Sequence, residues 1–372
     1  MNSKKIITLL LSIVIVSAFV FTGCDNAPGL PTAAPETDST EPTAVPTKDL
    51  AQPTATPDPW AILAGYTTEI DQDIINILLI GNDSDSPDGD GNGRNDTTMV
   101  LQINRVDKTM KLISFMRDMV FDIPGVGETS LNNANYHGGP AKVAKLLKDE
   151  FDISIDYYAS VSFNAFESVM DIVGSISIDQ SQNQIPDISA EKAENNVNKT
   201  TDMTPWQSLD YVRNRHDPIV DPETGYTLYS DEARNYRQRL FIQTVWEKAK
   251  SLPPFTIQVG VYSAVTYLKT DMDPAVMITL IKEMMEADAT IVTLGLPARK
   301  SAEKPYYSLY ENLHTGEIVA KSEIEAIYPS APDKDSYGSY EDWLDANYKV
   351  SHIIGWNVNR TTEAIKQFLV TD

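Results

Sequence analysis

Three runs in the first third of the chain, IINILLI (74–80), TTMVLQI (97–103) and MKLISFM (110–116), are almost unbroken in apolar and β-branched residues. Such runs predict strands buried on both faces. DYYASVSF (156–163) and SISI (175–178) predict two more. Between them, GPAKVAKLLKDEF (139–151) and NAFESVMDIV (164–173) repeat their apolar residues at helical spacing. TPWQSLDYVRNR (204–215) predicts a short helix running into an extended segment. Thr204 is its N-cap, Pro205 its first residue, and Gln207 completes a capping box. SDEARNYRQRLFIQTVWEKAK (230–250) predicts a long helix capped by Ser230, with Asp231 and Glu232 at its positive end. FTIQVGVYS (255–263) then predicts a strand, DPAVMITLIKEMMEA (273–287) a helix and TIVTLGL (290–296) a strand. Strands alternating with helices predict an α/β fold, a three-layer α/β/α sandwich around a mixed, largely buried sheet.

The flanks have a different character. Lys4 and Lys5 precede a sixteen-residue, predominantly apolar run, Ile6 to Phe21, and then FTGC ending at Cys24. Charge, apolar core and small residues in that order make 1–24 an export signal or membrane anchor. The Gly-Cys ending resembles a bacterial lipobox, with Cys24 as the lipidation site; uncleaved, the run sits at the short end for a membrane span. Residues 25–60 are rich in Pro, Thr and Ala and predict an extended tether. The expected folded domain is 61–300. Residues 301–372 form a polar, Tyr-rich extension that ends in a helical stretch, TTEAIKQFLV, and has no assigned role. This layout places the bulk of the chain on the extracytoplasmic face of a cell membrane.

Composition narrows the partners. A formal net charge of −23 argues against nonspecific nucleic-acid binding and against polybasic adsorption to a membrane. A single Cys forms no internal disulfide, and the four His are scattered without zinc-ligand spacing.

The acidic stretch DSDSPDGDGNGRND (83–96) follows the first apolar run directly. From Asp88 it reads D-x-D-x-N-G, with Asp90, Asn92 and Gly93 where an EF-hand loop places oxygen ligands and its turn glycine. Position twelve is Met99 where that loop needs a bidentate Glu, and the flanks read as strands. A looser calcium loop and a solvated acidic turn both remain open.

Arginines gather at element ends. Arg94 shares the acidic loop, and Arg117 follows the run ending SFM. Arg213 and Arg215 are two apart, which aims both to one face of an extended segment. Asp231, Arg234, Arg237 and Gln238 form a stripe along one helix, a pattern that commonly marks a solvated face. Ligands of α/β sheets sit beyond the carboxyl ends of strands, and both Asp83 and Arg117 fall there. If those strands are parallel neighbours, Arg forks for phosphate oxygens meet carboxylates for Mg²⁺, a pyrophosphate–metal site.

Several ordered segments resemble the LytR–CpsA–Psr family of extracytoplasmic phosphotransferases: INILLIGNDSD, GRNDTTMVLQIN, KLISFMRDMVFDIPG, DYYASVSFNAFESVMDIVGSISI, and WQSLDYVRNR followed by DEARNYRQR. The likeness spans residues 74–250 and continues weakly to 297. It implies transfer of a glycopolymer from a polyprenyl-pyrophosphate carrier to peptidoglycan, forming a phosphodiester. It implies that Asp83 and Asp96 hold Mg²⁺, one of them assisting deprotonation of the acceptor hydroxyl. Arg94, Arg117, Arg213 and Arg215 are then the pyrophosphate grip. Arg234, Arg237 and Gln238 complete the phosphate contacts, oriented by Asp231, with Arg117 and Arg237 counted among the catalytic residues. The prenyl chain is expected in an apolar tunnel beneath the sheet. Departures from the family pattern are Asp85 where an Arg is expected, Met116 for Pro, Gly174-Ser175 for a Gly pair, and an insertion at 216–230. Asp85 keeps two rivals in play, a non-catalytic polyprenyl-phosphate binder and a calcium-dependent surface module; a plain pyrophosphatase is a third.

Overall fold

The structure is a computed structural model that describes residues 60–63, 65–82, 95–161, 166, 169–170, 173–178, 202–222, 224–298, 306–315, 318–337, 339–356 and 358–370. The export signal, Cys24, the tether and the acidic loop at 83–94 lie outside the described residues.

The three apolar runs form the centre of a six-stranded sheet: β1 (Ile74–Asn82), β2 (Asn95–Asn104) and β3 (Thr109–Phe115). β2 pairs antiparallel with both neighbours, so β1 and β3 run parallel but are not adjacent. A small hairpin of β4 (Val120–Ile123) and β5 (Gly127–Ser130) leads into helix α1 (Asn132–Phe151). This helix begins earlier than the periodicity predicts. It is broken at Gly138 and Gly139; Gly139, at φ 64°, takes a conformation side chains disfavour. β6 (Tyr157–Val161) then joins β1 in parallel.

The next helices are α2 (Pro205–Arg213) and α3 (Ser230–Ala249). The Thr204–Gln207 capping box forms as expected. Ser230 is not a cap: Tyr229 occupies that place, and Ser230 has a positive φ of 49°. Helix α4 (Pro254–Ala264) replaces the strand expected at 255–263. Its buried Ile257, Val261 and Ala264 fall on one helical stripe, and Pro254 at its start favours a helix. The β-branched composition of a short apolar run does not separate the two periods, and packing against the core decided it. β7 (Lys269–Thr270), helix α5 (Pro274–Glu286) and β8 (Ile291–Leu296) follow. β8 pairs parallel with β3, giving the order β7-β6-β1-β2-β3-β8, a mixed sheet as expected.

Alternation along the central strands feeds two cores. Ile75, Ile77 and Leu79 of β1 join Met99, Leu101 and Leu112 under α3, α4 and α5. Leu78 and Ile80 join Val100, Ile113 and Phe115 under α1. The predicted helix around 164–173 contributes buried Phe166, Val169, Met170 and Val173 to the first core.

The C-terminal segment forms a second sheet of β9 (Tyr306–Asn312), β10 (Ile318–Ala320) and β11 (Tyr348–Trp356), with helices α6 (Lys321–Ile327) and α7 (Tyr340–Asn347). Trp343 and Tyr348 anchor an aromatic core of its own. Helix α8 (Val358–Val370) then returns to the main sheet, where Ile365 and Trp356 are buried in the second core. The α/β/α layering is therefore completed by residues beyond the expected domain end. No helix among the described residues is long and apolar enough to cross a membrane.

Candidate active site

β1, β3 and β8 end at one edge of the sheet, and β2 begins there. The edge thus collects Asp96 from the start of β2 and Arg117 with Asp118 from just past β3. The 116–119 segment is held from three sides by backbone bonds. Met116 N donates to Leu296 O at 3.0 Å, Leu131 N to Met119 O at 2.9 Å, and Ile354 N to Asp118 O at 2.7 Å. Helix α3 starts at the same edge and brings Asp231 and Arg234.

These residues form one buried ionic network. Arg117 Nη1 donates to Asp96 Oδ1 at 2.6 Å, its Nη2 lies 3.4 Å from Asp231 Oδ2, and its Nε 3.3 Å from Asp118 Oδ1. Arg234 Nη2 lies 2.8 Å from Asp231 Oδ1 and donates to the Asp96 carbonyl at 3.4 Å. Arg234 is 2% exposed and Asp96 4%, so the α3 stripe is the opposite of a solvated face. It faces inward because its charges find partners on β2 and after β3, which no pattern within one helix reveals.

The charges shift one another. Burial pulls the Arg117 guanidinium down, but the carboxylates of Asp231, Asp118 and Asp96 overcome this and hold it above the ordinary arginine range. Burial dominates at Arg234 and lowers it, partly offset by Asp231. Asp118 is pushed up to about 7 by burial and by a hydrogen bond shared with Asp231. Burial also opposes the Asp231 charge, but Arg234, the Asp118 bond, Arg117 and Arg215 together hold it below the usual carboxylate range. The two neighbouring carboxyls are thus driven apart, Asp118 toward its protonated form and Asp231 toward its charged one. Sequence reasoning passed over Asp118; its position directly after Arg117 at a strand end was the available signal.

The remaining candidates lie around this network. Arg237 Nη1 and Nη2 donate to the carbonyls of Asn214 (2.8 Å) and Asp217 (2.6 Å), so its guanidinium shapes the segment carrying Arg215. Burial lowers its pKa. Gln238, fully buried, accepts from Thr97 Oγ1 at 3.4 Å. Arg213 and Arg215 do not share one extended face: Arg213 is the last residue of α2, and the chain becomes extended at Asn214. Both are half-buried. Asp83, Asp85 and Arg94 lie outside the described residues, flanked by the paired Asn82 and Asn95. Their loop joins two antiparallel strands, so an EF-hand, which needs flanking helices, is excluded.

Asp96 Oδ2 is buried without a hydrogen-bond partner, with Arg234 Nη1 3.8 Å away. An orphaned carboxylate oxygen beside guanidinium forks fits a hard divalent cation that takes its other ligands from phosphate and water. Among the described residues, no three His, Cys, Asp or Glu cluster as a complete metal cage.

Comparison with known proteins bears on the fold and the family. Regulatory protein MsrR of Staphylococcus aureus is 34% identical over 151 residues, 40% of this chain and 43% of MsrR. Polyisoprenyl-teichoic acid–peptidoglycan teichoic acid transferase TagU of Enterococcus faecalis is 29% identical over 198 residues, 53% of this chain and 61% of TagU. The chain thus spans about half the length of the curated relatives it matches. Among solved structures, Bacillus subtilis TagV superposes with a TM-score of 0.53 at 18% identity, covering 82% of this chain and all of TagV. TagT bound to LI-WTA gives 0.52 at 19% identity, over 81% of this chain and 92% of TagT. These structures share the fold. The LytR_cpsA_psr family model matches residues 45–323, three quarters of the sequence, and the chain belongs to that family.

Proposed function

We propose that the protein transfers a glycopolymer from a polyprenyl-pyrophosphate carrier to peptidoglycan on the extracytoplasmic face of the membrane, tethered by its N-terminal segment. The observation that carries this reading is the buried network of Arg117, Arg234, Asp96 and Asp231 at the carboxyl edge of the sheet. The names of TagU and TagT, both polyisoprenyl-teichoic acid–peptidoglycan teichoic acid transferases, support it.

In this reading an acceptor hydroxyl oxygen attacks the sugar-bearing phosphorus of the pyrophosphate. The new phosphodiester forms as the bond to the bridging oxygen breaks, and polyprenyl phosphate leaves. Arg117, pinned by three carboxylates, presents a fixed cation to the developing charge, and such preorganised electrostatics dominate phosphoryl transfer. Arg213 at the end of α2 and Arg215 just beyond it close the grip. Asp96, with Asp83 from the loop, would hold Mg²⁺, which supplies charge neutralisation on the pyrophosphate. A carboxylate of this pair takes the acceptor's proton.

The test is turnover of a polyprenyl-pyrophosphate-linked saccharide by the full chain in detergent, with and without Mg²⁺, beside Asp96→Ala and Arg117→Ala. Mg²⁺-dependent release of polyprenyl phosphate, lost in both variants, supports the reading. Binding without turnover in the presence of peptidoglycan marks a non-catalytic carrier binder. Release of polyprenyl phosphate together with a sugar phosphate, without acceptor, marks a pyrophosphatase. Neither binding nor turnover, with Ca²⁺-dependent melting, returns the acidic loop to calcium.

A further inference from the structure

Helix α4 turns an uncharged face to solvent. From Ser251 to Leu268 the chain has no Asp, Glu, Lys, Arg or His, although 22% of the whole sequence is charged. The gap is therefore a local feature and not a property of the composition. Ile257, Val261 and Ala264 bury the inner side of the helix in the core. On the outer side Phe255 is 53% exposed and Tyr262 41%, with half-buried Val259 between them in sequence. Residues 255, 259 and 262 fall on one stripe of a helix, where a surface helix commonly carries its polar and charged side chains.

The patch continues onto the segment by which the chain enters the fold. Tyr66, 40% exposed, meets the Tyr262 ring edge-on with centroids 5.8 Å apart. The described residues begin at Trp60, which packs against the same core. The short turn Ala61–Leu63 lies on α4 and buries Leu63 with Ile257 and Val261. Residues 60–68 are likewise free of charge. The N-terminal residues, with the apolar run Ile6 to Phe21, thus join the fold at this patch.

Three arguments choose the occupant. The run that enters the bilayer in the proposed reading leads to this helix and to no other face. Tyrosine and phenylalanine beside aliphatic residues, with no charge of either sign, suit the boundary between headgroups and acyl chains. The three half-exposed rings offer on the order of 300 Å², well under the roughly 800 Å² that each partner gives a stable protein interface. A contact too small to hold a free protein suffices for one already tethered, because the tether keeps its effective concentration high.

We propose that the outer face of α4, together with Tyr66, rests on the lipid bilayer that holds the N-terminal segment. The folded domain is then fixed against the membrane by this face and does not swing freely on its tether. The proposal rests on the membrane-tethering part of the reading above and adds the surface that touches the lipid.

The experiment is hydroxyl-radical labelling of the full chain, one copy per phosphatidylcholine bilayer disc, read by mass spectrometry. Tyr136, 57% exposed on α1 across the sheet, is the internal reference. Tyr66 and Tyr262 should label at least about threefold more slowly than Tyr136, as for a contact occupied about two thirds of the time. Discs containing phosphatidylglycerol, and high salt, should give the same protection, since no charge carries the contact. Phe255→Glu places a carboxylate in the patch at the first turn of α4, where the helix dipole favours it. Its melting temperature should hold while the protection of Tyr66 and Tyr262 is lost. Labelling of both tyrosines at the Tyr136 rate in wild type overturns the proposal, as does protection that survives Phe255→Glu. Protection that appears only with two copies per disc assigns the face to a second chain and also overturns it. Protection confined to anionic lipid at low salt does the same. A full chain that fails to enter discs at all sinks the tethering reading, and the surface contact falls with it.

Discussion

Arg117 Nη1 donates to Asp96 Oδ1 at 2.6 Å, joining the residue past one strand to the start of its antiparallel neighbour. The same guanidinium faces Asp231 and Asp118. One cation is therefore the common partner of three carboxylates, and the integrity of the site depends on it.

Removing it leaves buried charge uncompensated. Arg117→Ala should abolish turnover and lower stability by about 3–5 kcal/mol, the range for breaking one side of a buried ion pair. Arg117→Lys restores charge but not the three-way fork, so stability should recover in part while turnover stays low. Urea unfolding beside a turnover assay checks both; a lysine variant with full activity would refute the fork argument.

Arg234 is a separate case because it is almost wholly enclosed. Arg234→Met alone should destabilise by about 3–5 kcal/mol, since Asp231 loses its nearest partner. Adding Asp231→Asn removes the stranded charge and should recover part of that loss. A double variant less stable than the single one would show that the Arg234–Asp231 pair is not the coupling that matters.

Asp118 makes a pH prediction. Its folded pKa is raised to about 7 from an ordinary 3.8, so its contribution to stability is present below about pH 4 and is lost as pH rises to about 7. Asp231 is shifted the other way: its contribution is present above the ordinary carboxylate value and is lost as pH falls through its depressed one. Of this pair, the change between about pH 4 and 7 therefore belongs to Asp118. Asp118→Asn cannot ionise, and its melting temperature relative to wild type should climb across that window. A constant difference between the two proteins would contradict the raised Asp118.

The C-terminal segment acts on the site through backbone. Trp356 packs between Phe121 and Phe151, and its Nε1 donates to Val120 O at 2.7 Å; Ile354, two residues earlier, bonds Asp118. Trp356→Ala should cost about 3–5 kcal/mol from lost packing and lower turnover together with stability. Trp356→Phe retains most of the packing and loses the hydrogen bond, about 1 kcal/mol. Full turnover in a folded Trp356→Ala variant would show that the clamp on Asp118 is dispensable.

The central strands and the capped helix at 205–213 were legible because each is decided by local period and end chemistry; the long helix at 230–249 was legible as a helix, although Ser230 does not cap it. The helix at 254–264 was not, since a short β-branched run packs as readily in either form and only its neighbours choose. The candidate residues were legible as a set of types at strand and helix ends. Their grouping was not, because Asp96, Arg117 and Asp231 come from elements far apart in the chain.

What the sequence determined by itself is therefore the strand-and-helix alternation, the charged residues at element ends and the likeness to one family. These are properties of neighbouring residues or of ordered motifs. The tertiary structure decided which charges meet and which are buried. It placed β2 between β1 and β3, turned the α3 stripe inward, and brought Trp356 and α8 back to complete the layer over the sheet. Burial and ion pairing are properties of contacts between distant segments. The pKa shifts that follow from them, the raised Asp118 above all, exist only once those segments have packed together.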